Sequence, residues 1–177
     1  MKKESFIYST LTIGGSKEQV NEVMKYICDD IYDIGSIDLN KICAVPVHLN
    51  IGPDDEVSCG EKLYRHYLDL VPYPTEEEEE NFLAVLSRAD QRRFLLGKMA
   101  VLNRKEYGYP TYTGWCTEHW GTDENVISFE ECNENSIAFL THSAPASEAI
   151  HTLSILFPKV KPVSYTHLRA HETCADL

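Results

Sequence analysis

Lysine and arginine are scarce in this chain. Its 177 residues carry 16 of them against 28 aspartates and glutamates, a formal net charge of −12. A protein that grips nucleic acid through phosphates needs the opposite surplus, so a general phosphate-backbone binder is disfavoured. The charge has two readings. It keeps a protein in solution, or it forms an anionic surface that competes with nucleic acid for the basic groove of another protein. Long apolar runs are missing too: nothing approaches the ~20 residues of a membrane helix. The opening MKKESFIYSTLTIGG lacks the apolar centre of a secretory signal. The expectations are no membrane partner and a cytoplasmic location.

Other signatures are absent. Six cysteines, at 28, 43, 59, 116, 132 and 174, include no pair at CxxC spacing. In a reducing compartment they serve as small apolar residues. There is no GxxxxGK[ST], GxGxxG, HExxH or GxSxG, hence no phosphate-cradling loop, dinucleotide fingerprint, zinc-protease helix or nucleophile elbow. We expect a non-enzyme, with no catalytic residues, no cofactor and no metal.

What is present reads as one α+β domain. Ser5 to Ile13 alternates, with Ile7, Ser9, Leu11 and Ile13 on one face, as a strand does. Ser16 and Gln19 form a capping box for a helix of about four turns through Val20, Val23, Met24, Ile27, Cys28 and Ile31. Ile37 to Pro46 reads as a short second strand or extended segment, 47–60 as loop and Glu61 to Leu70 as helix. Thr75 and Glu78 form another capping box, so the run Glu76 to Glu80 reads as a solvated helix start. Helical spacing continues to about residue 105, with a break near Asp90. This stretch is locally basic (Arg88, Arg92, Arg93, Lys98, Arg104, Lys105), a pattern that neutralises nearby glutamates or touches nucleic acid. Val126 to Glu131 and Ser136 to His142 read as a hairpin, Pro145 as the start of a helix that Pro158 ends, with Ser143 a candidate cap, and Lys159 onwards as a last strand. The order suggests a ferredoxin-like antiparallel sheet, a split β-α-β, with a helical insertion at about 60–120 between the second and third strands.

The densest chemistry lies in YGYPTYTGWCTEHWGTDEN, residues 107–125, which hold both tryptophans of the chain. Indoles are placed where a large surface must be covered. Two of them five residues apart, near Gly114 and Gly121, read as a clamp holding the insertion on the sheet, or as a binding surface. The candidate binding residues are Tyr109, Trp115, His119, Trp120, Thr122, Asp123 and Asn125. Cys116 and His119 would share a helix face, but two ligands do not make a zinc site.

These residues carry a resemblance. Leu11–Gly14, Ile37–Ile42, Trp115-Cys116-Thr117-Glu118-His119-Trp120-Gly121-Thr122, Ile127–Phe129 and the Ser143–Pro158 segment are similar to the YubB-type ferredoxin-like domain family of phages and plasmids. His119 stands where that family has Asn, Asp123 where it has Lys, and Thr141-His142 where it has a Trp. The resemblance implies the fold and a mobile-element origin. Separately, residues 163–173, VSYTHLRAHET, resemble the translation of a transposon-based sequencing adapter. That implies a non-native tail over 163–177 and a shotgun-assembled, metagenomic source; without the tail the net charge is −11. His167 and His171 belong to this tail and are set aside as ligands.

The functional expectation is a phage or mobile-element accessory protein acting in the host cytoplasm. It is read as a non-catalytic module that binds a host protein, an acidic, anti-CRISPR-like inhibitor of a defence nuclease. The alternative is a nucleic-acid-binding domain using 88–105 with Trp115 and Trp120. Oligomeric state is left open by the sequence.

Overall fold

A computed structural model describes residues 6–32 and 34–168. It is a mixed α+β structure that divides into two compact units, residues 1–44 with 116–177, and Val45–Trp115. Of the adapter-like stretch, 163–168 fall within the described residues and 169–173 outside them, as do Cys174 and the opening residues 1–5.

Unit 1 is built on a four-stranded antiparallel sheet in the order β2-β3-β1-β4. Strand β1 is Phe6–Gly14, β2 Ser128–Asn133, β3 Ser136–His142 and β4 Lys161–Leu168. Alternation works as expected: Ile7, Ser9, Leu11 and Ile13 are buried, while Phe6, Tyr8, Thr10 and Thr12 are half-buried on the other face. β1 runs antiparallel to both neighbours, with Ser9 opposite Phe139 and Thr166. β2 and β3 form the expected hairpin, with a bulge between Glu131 and Asn133.

Helix α1, Lys17–Ile27, carries the Ser16–Gln19 capping box and buries Val20, Val23, Met24 and Ile27. It ends a turn earlier than its apolar spacing suggests. Cys28 is extended and Ile31 is exposed. Ile37 to Pro46 is not a strand. Asp38 accepts the Asn40 N–H and caps a short helix, α2, Leu39–Ile42, so the Leu39/Ile42 spacing prevails over the Ile37/Leu39 alternation. α1 packs against β1, α2 against α1 and α7, and α7 (Ser147–Leu156) against β4. Ser143 does not cap α7. It sits at φ 62°, and Ala146 precedes the helix without a side-chain cap.

Unit 2 is helical and enters between the first and second strands. The expected second strand does not exist, so the count shifts by one. A 3₁₀ turn, Val47–Leu49, leads to α3, Asp54–Leu70. Here 47–60 was expected to be loop. Pro53 followed by Asp54, Asp55 and Glu56 is a helix start rather than a turn, because anionic side chains suit a helix N-terminus. α4, Glu76–Val85, opens on the Thr75–Glu78 capping box. α5, Arg88–Tyr107, begins after Ser87, whose Oγ accepts the Asp90 N–H at 3.2 Å. Asp90 thus lies inside a first turn, and the break falls at Leu86-Ser87.

The core of unit 2 is aromatic: Tyr64, Tyr67 and Phe94 are buried together, with the Phe82 ring centred 4.5 Å from that of Tyr67 and tilted to it by 34°. The Tyr64 hydroxyl donates to Glu79 at 3.2 Å. Burial, and then the negative charge of Glu79, push its pKa up to about 12 from 10.0. The folded chain therefore keeps a proton that the unfolded chain releases near pH 10. The stabilisation is whole below that pH and is lost as pH rises towards about 12. In urea titrations between pH 9 and 12, Tyr64→Phe is expected to flatten this alkaline loss. An unchanged slope would refute the assignment.

The basic stretch pairs with carboxylates of α3 and α4 and with one of α5 itself. Arg92 pairs with Glu56 at 3.1 Å, Arg104 with Glu61 at 3.2 Å, Arg93 with Asp90 at 3.2 Å, and Lys98 with Glu79. Burial raises Glu61, but the Arg104 and Arg65 guanidiniums outweigh it and hold the carboxyl below its usual range. Among the described residues no helix is long and apolar enough to cross a membrane.

Candidate functional site

The tryptophan-rich segment folds as helix α6, Tyr112–Trp120, between two glycines in left-handed conformation. Gly108 closes α5 at φ 84°, and Gly121 follows α6 at φ 87°. Gly121 is required twice over. Its φ is strained for other residues, and an added Cβ would lie 2.8 Å from the Pro145 carbonyl oxygen. Gly114 was expected to share this role and does not: a Cβ there meets only Tyr109 Cδ1, at 3.5 Å.

Both indoles are enclosed. Trp115, in unit 2, is 6% exposed and Trp120, in unit 1, is 0% exposed. Enclosed rings offer no open face. Tyr109 is half-buried in unit 2, and His119 is half-buried in unit 1. Trp120 also spends its polar edge internally, its Nε1–H donating to the Cys43 carbonyl at 2.9 Å.

The residues after α6 are stitched into unit 1 one by one. Thr122 is fully buried, and its hydroxyl donates to the His142 carbonyl at 2.6 Å. Asp123 brackets the His142 ring, with its two carboxylate oxygens 3.1 and 3.0 Å from Nδ1. The Asn125 carbonyl oxygen accepts from Leu39 N–H at 3.0 Å and Val126 N–H at 2.8 Å, while its amide donates to Asp38 Oδ1 at 2.6 Å. Asp38 is the residue that caps α2. Asn125 therefore secures the start of a four-residue helix that could not hold itself.

Of the seven candidates, Trp120, Thr122, Asp123 and Asn125 are brought together in unit 1 as structural ties. Their partners are the Cys43 carbonyl, the His142 carbonyl and ring, and the capping carboxylate of Asp38. None of these pairings leaves a motif in the sequence. Asn125→Ala is expected to cost about 2 kcal/mol, the usual scale for stranding buried hydrogen-bonding groups. Asn125→Asp should cost more at pH 7, where two carboxylates would face each other, and recover on acidification. Urea midpoints at pH 7 and 4 test this, and equal losses at both pH values would overturn it.

Burial raises the Cys43 thiol pKa, which keeps it protonated. Among the described residues no group of three or more His, Cys, Asp or Glu is placed to hold a metal ion. A shallow hollow of about 470 Å³ lies over β2 and β3, lined by Tyr8, Ser128, Glu130, Ala138 and Leu140 among others.

No family model matches the chain, and neither a curated protein nor a solved structure matches it.

Proposed function

We propose that the chain is a non-catalytic binding module of a phage or mobile element, an acidic protein that occupies the basic groove of a host nucleic-acid-guided nuclease. The strand order, with β1 and β2 separated by β3, and β3 and β4 by β1, supports reading unit 1 as ferredoxin-like. The mobile-element origin rests on the resemblance carried by residues 115–122.

One observation carries the functional reading: unit 1 holds the larger part of the negative surplus. By residue bounds, unit 1 takes 16 of the 28 carboxylates and 8 of the 16 cations, leaving 12 and 8 to unit 2. In unit 2, Glu56, Glu61, Glu79 and Asp90 are paired with arginine or lysine. In unit 1, Glu118, Glu124, Glu130 and Glu134 are all exposed, with Lys17 against Glu134. Such a surface steers a basic partner and is weakened by salt.

The test is binding of the immobilised chain to purified guide-dependent nucleases, with and without their nucleic acid. Support would be low-salt binding that weakens about tenfold or more by 0.5 M salt, is competed by the nucleic acid, and falls for Glu118→Lys with Glu124→Lys. No binding at low salt, or binding indifferent to nucleic acid, would overturn the reading. A direct gel shift with single-stranded RNA or DNA would replace it with the nucleic-acid-binding alternative.

A further inference from the structure

Helix α5 is apolar on two opposite sides. One is used within unit 2, where Phe94, Gly97 and Ala100 are buried and Gly97 meets Gly60 of α3. At about 100° per residue, Leu95 and Met99 each lie about 200° round the helix from Gly97, and Leu102 lies about 20° beyond Leu95 on the same side. These three form a stripe facing away from the unit, and they are 49%, 43% and 54% exposed.

The stripe continues in both directions along the same side, to Arg92 and Arg88 at one end and Glu106 at the other. Positions 88, 92, 95, 99, 102 and 106 alternate steps of four and three, the seam of a heptad. A seam of that spacing fits a second helix, and its end charges select which one. One end is basic and the other acidic, so the seam complements itself when reversed. Parallel pairing would set arginine against arginine.

We propose that this seam joins two copies of the chain in an antiparallel, two-fold pair centred near Gly97. That register places Leu95 against the partner's Met99, Leu102 against the aliphatic stem of the partner's Arg92, and Arg88 against the partner's Glu106. The same contacts recur on the other side of the axis, as two-fold symmetry requires. The inference is independent of the anionic reading of unit 1 and of the adapter-like tail.

Sedimentation equilibrium of the full chain over roughly micromolar to millimolar concentration tests it. The mass is expected to rise with concentration from 20.2 kDa towards twice that value. Met99→Glu should weaken association by about tenfold or more. Arg88→Glu and Glu106→Arg should each weaken it, and the two together should restore it. All three positions are exposed, so circular dichroism should report an unchanged fold. A monomer at every concentration would overturn the proposal. So would a dimer indifferent to Met99→Glu, or a double charge swap as weak as the single changes.

Discussion

Gly97→Ala is expected to lower the unfolding midpoint by about 6–12 °C, where helix propensity alone predicts a rise. In an open helix, replacing glycine with alanine gains roughly 0.5–1 kcal/mol, because glycine loses more backbone freedom on folding. Here the sign reverses. A Cβ on Gly97 would overlap the carbonyl group of Gly60 and lie 2.8 Å from the Glu61 nitrogen, while one on Gly60 would overlap the Arg93 carbonyl. Both obstacles are backbone, which no rotamer change can move aside. Over-packing costs typically 1–3 kcal/mol, and the upper end applies when helices must part. For a chain of this size, about 3 kcal/mol corresponds to that shift in midpoint. Gly60→Ala should behave alike. Gly114→Ala is the control, since its Cβ has ordinary room and the residue lies in a helix. Thermal melts of the three variants decide the matter. If Gly97→Ala melts at or above the parent, the close crossing of α3 and α5 is wrong.

The contrast between these glycines explains what the sequence could and could not disclose. Local signals were legible wherever one residue and its near neighbours fix the outcome. The alternation of β1, the two capping boxes at Ser16 and Thr75, and the hairpin at 133–136 all belong here. Reading failed where a distant partner decides. Ile37–Ile42 has spacing that suits either a strand or a helix, and Asp38, supported by Asn125 from 87 residues away, settles it. Gly97 looks like a defect in a helix, and Gly60 like the end of a loop, until their contact is seen. The candidate site followed the same rule. Residues 115–125 stood out by composition, but whether their polar groups face outward depends on Cys43, Asp38 and His142. Asp123 and His142, far apart in sequence, are each other's partners.

Trp120 is expected to behave as structure, and its substitutions separate that role from recognition. The indole is fully buried and its N–H is bound to the Cys43 carbonyl at 2.9 Å. Trp120→Ala removes the largest fully buried side chain of the chain. Truncations of this kind cost about 3–5 kcal/mol, from lost transfer energy and the cavity left behind. That is a large part of the 5–15 kcal/mol that typically holds a domain, so partial unfolding at 37 °C is expected. Trp120→Phe fills most of the same space but strands the Cys43 carbonyl, at about 1–3 kcal/mol. The ordering follows: parent above phenylalanine above alanine in chemical denaturation. Tryptophan emission of the native protein should be blue-shifted and resistant to iodide quenching, since neither indole is open to water. A recognition role predicts a different pattern, in which Trp120→Phe leaves stability intact and removes binding to the nuclease proposed above. An unchanged denaturation midpoint in Trp120→Phe would therefore count against the packing of this ring, and against reading residues 120–125 as the seam that holds unit 1 closed.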